Sequence, residues 1–435
     1  MKFVYKENAL SLKEVAYWKK IFNERLIFGS EIEFESACNA SSRAVRDRFR
    51  IDSLFGIGVE YVDGDGSLRS GGEVKTRPRH IDSFIQLFSV YKGIIDKLEP
   101  VMPIVNTRAG WHNHISLNNF GGMKSHELDI PFVIVKNIIA LFKHYYPALK
   151  YFTASMPESQ ACYTRNDRFC LTRGLLGTND EMDIHELLNE IEDDTRYNAI
   201  NCRGIETCAD DISAFHIETR FPDCNLFPFS MASYQILVKA LILKAIELSA
   251  NGEISLEIDS ETKRLYTFAN SVDAGHTSSY INYDDLLEEE ATDRGSRMVT
   301  GEVIKLIKTQ GTQLLDMLKP EIDLIDEKAF EFIAMLMNRP VYQMFRELNT
   351  EDIYEINDKF EEVIDNAYEI KEVSQEAEQL ASIISLNNVK AETKEEWKNA
   401  IGEIVNFNVD LDEILEEINS YRKLKFIPGT GYYFC

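Results

Sequence analysis

Residues suited to metal and phosphate chemistry recur at alternate positions in four segments of the first half of the chain. FGSEIEF (28–34) carries Glu31 and Glu33, with Glu35 continuing the row, and GGEVKTRPRH carries Glu73, Lys75 and Arg77. AGWHNHISL carries His112, His114 and Ser116, and AFHIETRF carries His216, Glu218 and Arg220. In an extended strand, alternate side chains share a face, so each segment predicts one ionisable face and one apolar face bearing Ile32, Phe34, Val74, Ile115, Ile217 or Phe221. A half-polar strand facing water is ordinary when taken singly. Four together are different, because Glu31, Glu33, Glu73 and Glu218 gathered at roughly 4–6 Å without cations repel one another strongly. Carboxylates of this kind hold hard divalent ions such as magnesium or manganese, which in turn hold nucleotide phosphates, and imidazole leaves room for manganese or for a softer metal.

Between the first two of these segments lies VDGDGSLRSGG, with Asp63 and Asp65 among glycines. Its DG pairs predict a hairpin loop, and the same loop brings acidic groups to the mouth of the sheet. The ligand spacing of a helix–loop–helix calcium site is missing, as are a GxxxxGK[ST] loop and a strand-following GxGxxG. Phosphate binding is therefore expected to fall to metals and arginines. Arg165, Arg168, Arg173, Arg196 and Arg203 are candidates, and Arg220 ranks above them because its strand position aims it into the charged face.

The elements that must position these residues follow from the wider pattern. Over 435 residues, 44% hydrophobic and 11% aromatic, the chain can fill a large core. About the first 250 residues alternate strand and helix patterns. Residues 251–296 form a turn-rich, acidic excursion, and from 297 to 435 apolar residues recur at three and four in acidic amphipathic helices. This predicts an α+β fold with a catalytic domain over 1–296 and a helical region over 297–435. The apolar stretches at 130–142 and 229–248 are broken by Lys136, Lys239 and Lys244 and predict buried helices, with no membrane partner. The charged first residues argue against a secretion signal. Seven scattered cysteines without a CxxC pair predict no disulfide frame, which fits a cytoplasmic location. A formal charge of −25 argues against nucleic acid as a partner.

The order of the blocks resembles that of the amidoligase family, relatives of glutamine synthetase and glutamate–cysteine ligase. GSEIEFE is similar to the family's opening GxExE strand, DGSLRSGGEVKTRP to its DGS…G.E block, and AGWHNHISL to its GxHxH block. RYNAIN followed by FHIETRFPDCNL is similar to the closing ExR region. The blocks span 28–248. The resemblance implies a glutamine-synthetase-like twisted antiparallel sheet that cups ATP and Mg2+ or Mn2+, flanked by helices. It implies Glu31, Glu33, Asp65, Glu73, Glu218 and His112 or His114 as metal ligands. Arg220 would face the phosphates, with Lys75 and Arg196 on the nucleotide side, and Asn198 and Asn201 would shape the nucleotide and substrate side. Asn113 and FPDCN depart from the family pattern and bear on substrate identity. The activity implied is ATP-dependent joining of a small-molecule or peptide carboxylate to an amine through an acyl-phosphate, with Glu218 and Arg220 carrying the chemistry. A phosphotransferase of the same fold and a non-enzymatic scaffold are the alternatives. The C-terminal helices lie outside the matched blocks and offer a surface for a protein partner.

Overall fold

The computed structural model describes residues 1–49, 59–66, 68–105, 109–117, 129–155, 172–192, 198–208, 211–270, 296–348, 352–368, 374–386, 389–405, 410–421, 424–428 and 430–434. The first strand, β1 (Phe3–Val4), precedes helix α1 (Leu12–Arg25). A capping box starts α1: Ser11 Oγ accepts from Glu14 N, and the Glu14 carboxylate accepts from Ser11 N at 2.8 Å. The helix runs without a loop into β2 (Leu26–Ser36). Then follow α2 (Ser42–Arg48), β3 (Val59–Asp63), β4 (Gly72–Thr76), β5 (Arg79–His80), α3 (Phe84–Leu98), β6 (Pro103–Ile104) and β7 (Trp111–Leu117). After α4 (Phe132–Phe152), α5 (Arg173–Gly177) and α6 (Ile184–Glu192) come β8 (Ile200–Asn201), β9 (Glu206–Cys208), β10 (Asp211–Ala214), β11 (His216–Thr219) and α7 (Pro228–Leu248).

The main sheet has the order β3-β4-β2-β7-β11-β8, with β5 and β6 pairing the two ends of β2, and every pairing in it is antiparallel. Sheet and helices together make the α+β class expected from the sequence. Its apolar face carries Phe28, Ile32, Phe34, Val74, Trp111, Ile115 and Ile217, all buried. Helices α3 and α7 contribute the aromatic rings facing it, with Trp111 packed edge-on against both Tyr91 and Tyr234. The two long apolar stretches form α4 and α7, both largely buried. The helical stretch Pro228–Asn251 is long and apolar enough to cross a membrane, and it lies inside the molecule.

Asn113 sits between His112 and His114 in sequence and so points to the opposite face, fully buried. Its Oδ1 accepts from Gln235 Nε2 (3.0 Å) and Ser30 Oγ (3.2 Å), and Ser30 Oγ also bonds the Tyr91 hydroxyl at 2.8 Å. Asn113 thus belongs to helix–sheet packing, on the face opposite the charged residues. Asn113→Leu keeps the volume but removes the buried acceptor that Gln235 Nε2 and Ser30 Oγ share. It should cost about 1–3 kcal/mol in urea unfolding. An unaltered unfolding midpoint would remove the network from the stability account.

The core is not divided at 296. After β12 (Glu253–Ile254), which pairs with β1, and α8 (Ser260–Asn270), the helix Ser296–Ile325 packs on α4 and α7. A single core runs from Val15 through Ile307, Leu314, Ile322, Phe332 and Phe360 to Ile364. Phe84 meets Phe332 at 4.7 Å, and Phe229 stacks on Phe360 at 4.4 Å between ring centres. Lys19 of α1 joins Glu247 (2.6 Å) and the fully buried Glu321 (2.8 Å), which ties α1 to the helix Ser296–Ile325. A second, smaller core gathers Ala377, Leu380, Trp397, Ile401, Ile414 and Ile418. The change of composition near 296 marks where the strands end. The helices that follow complete the core beneath the sheet, because an amphipathic pattern says that a face is buried and not against what.

Candidate active site

Cross-strand register converts the alternation into a cluster. Glu31 lies opposite Lys75 on one side and His112 on the other, Glu33 opposite Glu73, and Glu218 opposite His114 and Asn201. Glu33, Glu73, His112 and Glu218 are each 8% exposed or less. A solvated polar face is thereby excluded, since groups that avoid burial unless paired are held here away from water.

The contacts are dense. Lys75 Nζ reaches Glu31 at 2.7 Å and Glu73 at 3.0 Å. His112 Nδ1 lies 3.2 Å from Glu31 and 3.6 Å from Glu218. Arg220 and Asn201 both donate to the Glu218 carboxylate. Glu33 accepts from the Gly110 N–H at 2.8 Å. His114 Nε2 stands 3.5 Å from Glu31, buried and with no hydrogen-bond partner, and its Nδ1 is 3.1 Å from His216 Nε2.

Electrostatics follow from the crowding. Burial alone would raise the Glu31 carboxyl, but hydrogen bonds from His112 and Lys75, with the charge effect of the neighbouring His114 imidazole, outweigh it and hold it well below the usual carboxylate range. Burial, reinforced by the Glu31 charge, pushes the Glu73 carboxyl up to about 7. Burial also raises Glu33, and Asp65 adds to the effect, which places the charge of Asp65 within reach of the cluster. For His112, burial acts downward, yet the bond to Glu31 prevails and the imidazole sits above its ordinary value. With few cations among many carboxylates, protons supply part of the missing positive charge.

Glu73 therefore leaves a signature in stability. With a folded pKa near 7 and an unfolded value near 4.5, its folded form keeps a proton that the unfolded chain loses between those values. Its contribution to stability is full below about 4.5 and is lost as pH rises to 7. Relative to wild type, metal-free Glu73→Gln should gain stability steadily across that window and level off above it. Thermal melts in a pH series check this, and a constant difference would contradict it.

One ligand atom from each of Glu31, His112 and Glu218 lies within 4.8 Å of the others. Two carboxylates and an imidazole, with the partnerless His114 Nε2 beside them, fit a hard divalent ion of the magnesium or manganese type. At the mouth, the hairpin between β3 and β4 is pinned to β2. Arg69 N donates to Glu35 at 2.8 Å, and Ser70 Oγ bonds Ser36. Gly71 makes the return possible: its φ is +77°, and a Cβ there would meet the Phe34 carbonyl at 2.2 Å.

Not every expected residue joins the cluster. Asn198 is buried and donates to the Ile191 carbonyl at the end of α6. Arg196, Arg165 and Arg168 lie outside the described residues, and Arg203 N bonds the Asn201 side chain. His216 shares the face through His114. Asp63 faces Glu73 across β3 and β4, and the Tyr61 ring lies 5.5 Å from Lys75 Nζ. His216 and Asp63 were visible in the sequence, the first in the same alternation and the second in the acidic hairpin, whereas Tyr61 is brought in by an edge strand that the alternation did not reveal.

No protein-family model matches the sequence, and no curated protein matches it. Similar solved structures include the glutamate–cysteine ligase of Francisella tularensis in complex with AMP, at 11% identity over 91% of this chain and 98% of that one, TM-score 0.41. A bifunctional glutathione synthetase from Pasteurella multocida is 13% identical over 88% of this chain, with TM-score 0.37, and the match spans 56% of its length. The ligase PafA, in complex with the prokaryotic ubiquitin-like protein Pup, is 11% identical over 92% of this chain and 81% of that one, TM-score 0.33. Each of the three is a ligase or synthetase by name.

Proposed function

We propose that the chain is an ATP-dependent carboxylate–amine ligase, working on a glutamine-synthetase-like sheet in the cytoplasm. The observation that carries the reading is the cluster of half-buried Glu31 with buried His112 and Glu218, their ligand atoms within 4.8 Å, with Arg220 and Lys75 on the same sheet face. Such a face suits phosphates bound through a divalent ion.

Glu31, Glu218 and His112 would hold magnesium or manganese, with Glu33, Glu73, Asp65 and His114 around them. When bound, the ion offsets the negative charge of the nucleotide phosphates. Arg220 supplies a planar fork for phosphoryl oxygens, and Lys75 a compact charge already anchored by Glu31 and Glu73. Arg196 and Asn201 belong to the nucleotide and substrate side. Asn198 braces that side through the end of α6. A substrate carboxylate oxygen attacks the γ-phosphorus of ATP, releasing ADP and leaving an acyl-phosphate. The amine nitrogen then attacks the acyl carbon, phosphate leaves, and the amine proton passes to a base. The substrates are a small-molecule or peptide carboxylate and an amine, and the C-terminal helices offer the surface for a protein partner.

The test is ADP release with Mg2+ or Mn2+ against a panel of amino acids and peptides, with mass-spectrometric search for amide product. Stimulated ADP release with matching amide is the expected result. ADP release accompanied by a phosphorylated product would replace the ligase with a phosphotransferase. Failure of magnesium plus a non-hydrolysable ATP analogue to raise the melting temperature beyond either alone would overturn the shared metal–nucleotide site.

A further inference from the structure

His216 is the unassigned residue whose placement bears most on this face. It opens β11, two residues before Glu218 and on the same side of the sheet, opposite Ser116 of β7. Its Nε2 lies 3.1 Å from His114 Nδ1, the two rings tilted by 34° with centres 5.3 Å apart. The ring is also wedged from behind. A Cβ on Gly204 would fall 2.4 Å from His216 Nδ1 and 2.5 Å from its Cβ, so only a glycine lets the 202–205 turn close over it. The imidazole is thus held between that turn and His114.

Hydrogen-bond chemistry gives this pair two arrangements. A neutral imidazole has one donor nitrogen and one acceptor nitrogen. If His216 Nε2–H donates to His114 Nδ1, the His114 proton sits on Nε2, toward Glu31. If His114 Nδ1–H donates to His216 Nε2, the lone pair of His114 Nε2 points toward Glu31 and the cluster. His114 Nε2 is buried, lacks a hydrogen-bond partner and stands 3.5 Å from Glu31 Oε1. Only the second arrangement makes that atom a metal donor, and a partner on the far nitrogen is how metal-binding imidazoles are ordinarily fixed.

We infer that His216 is a positioning residue: by accepting from His114 Nδ1–H, it presents His114 Nε2 as a donor to a divalent ion held with Glu31. The inference rests on the metal site proposed above. Binding in the second arrangement moves no net proton. His114 carries its hydrogen on Nδ1 in place of Nε2, and His216 carries its own on Nδ1.

Mn2+ binding without nucleotide, followed by the electron-paramagnetic signal of the free ion, tests it in the full chain. His216→Phe keeps a flat ring and loses the acceptor, and should weaken Mn2+ binding by about 10–100-fold, the usual cost of losing a partner behind a metal-binding histidine. His216→Gln, whose amide oxygen reaches about as far as Nε2, should restore most of the affinity, which a merely space-filling role would not require. Ring-nitrogen NMR of 15N-histidine-labelled wild type in saturating Mg2+ should show His114 protonated on Nδ1. Equal Mn2+ affinity in wild type and His216→Phe overturns the role of His216 and leaves the metal site standing. No Mn2+ binding by wild type overturns the metal site itself. Should His216→Phe fail to fold, His114 found protonated on Nε2 in the Mg2+-saturated protein overturns the inference just as well.

Discussion

A chain ended at residue 296 is expected to lose cooperative folding, whereas one ended after Tyr368 is expected to keep it. The helices between those points bury Ile307, Leu314, Leu318, Ile322, Ile333, Leu336, Ile356 and Ile364, each fully inaccessible. At about 1.5–3 kcal/mol for each buried side chain, their removal is comparable to or larger than the roughly 5–15 kcal/mol by which a domain is stable. It also uncovers Phe84 and Phe229, which pack on Phe332 and Phe360, and deprives Lys19 of Glu321. Removal of residues beyond 368 takes away a core of its own, built on Ala377, Leu380, Trp397 and Ile418. The lost contact of the helix Leu411–Tyr421 with α3 should lower the melting temperature without abolishing the transition. Circular dichroism during heating separates the cases. A sharp transition in the 1–296 chain would show that the sheet is self-sufficient.

The face-sorting of the site was legible in the sequence because a strand's period is two and each segment kept its charged residues strictly alternate. Glu31, Glu33, Glu73, Lys75, His112, His114 and Glu218 needed no further information to be placed on one side. Which of them touch was not legible, since contact depends on register between strands distant in sequence. Glu31 meets His112 only because β2 and β7 pair Ile32 with Trp111. Asn113 was readable by the same parity as a residue of the apolar face, yet its identity as a hydrogen-bonding hub required Gln235 from α7. Asn198 enters the expected site only through the resemblance of RYNAIN, while its side chain serves the end of a helix that no strand pattern could indicate. The core boundary escaped for the reason already given by Phe332 and Phe360: helical periodicity marks a buried face and leaves its partner unnamed.

Glu218→Gln and Arg220→Lys are expected to fail in different ways on the proposed reading. Glu218 is held by Arg220 and Asn201 and stands 3.6 Å from His112 Nδ1, within the group of Glu31, His112 and Glu218 that would bind the ion. Glutamine there preserves shape and the acceptor for Asn201 but removes a charge from a metal-binding set. Metal-dependent nucleotide binding and turnover should then fall together. Lysine at 220 preserves the charge beside Glu218 and loses the planar fork. A guanidinium has five N–H donors, enough to hold Glu218 and phosphoryl oxygens at once, whereas an ammonium offers a point charge without that geometry. Arg220→Lys should therefore spare metal binding and lower turnover by roughly 10²-fold or more, the loss typical of one oriented transition-state donor. Calorimetric titration of Mg2+ and nucleotide, beside ADP release, measures both quantities for both variants. Near-normal turnover in two folded variants would take β11 out of the chemistry. A parallel loss of metal binding in Arg220→Lys would instead mean that the arginine's main task is to hold Glu218 in place.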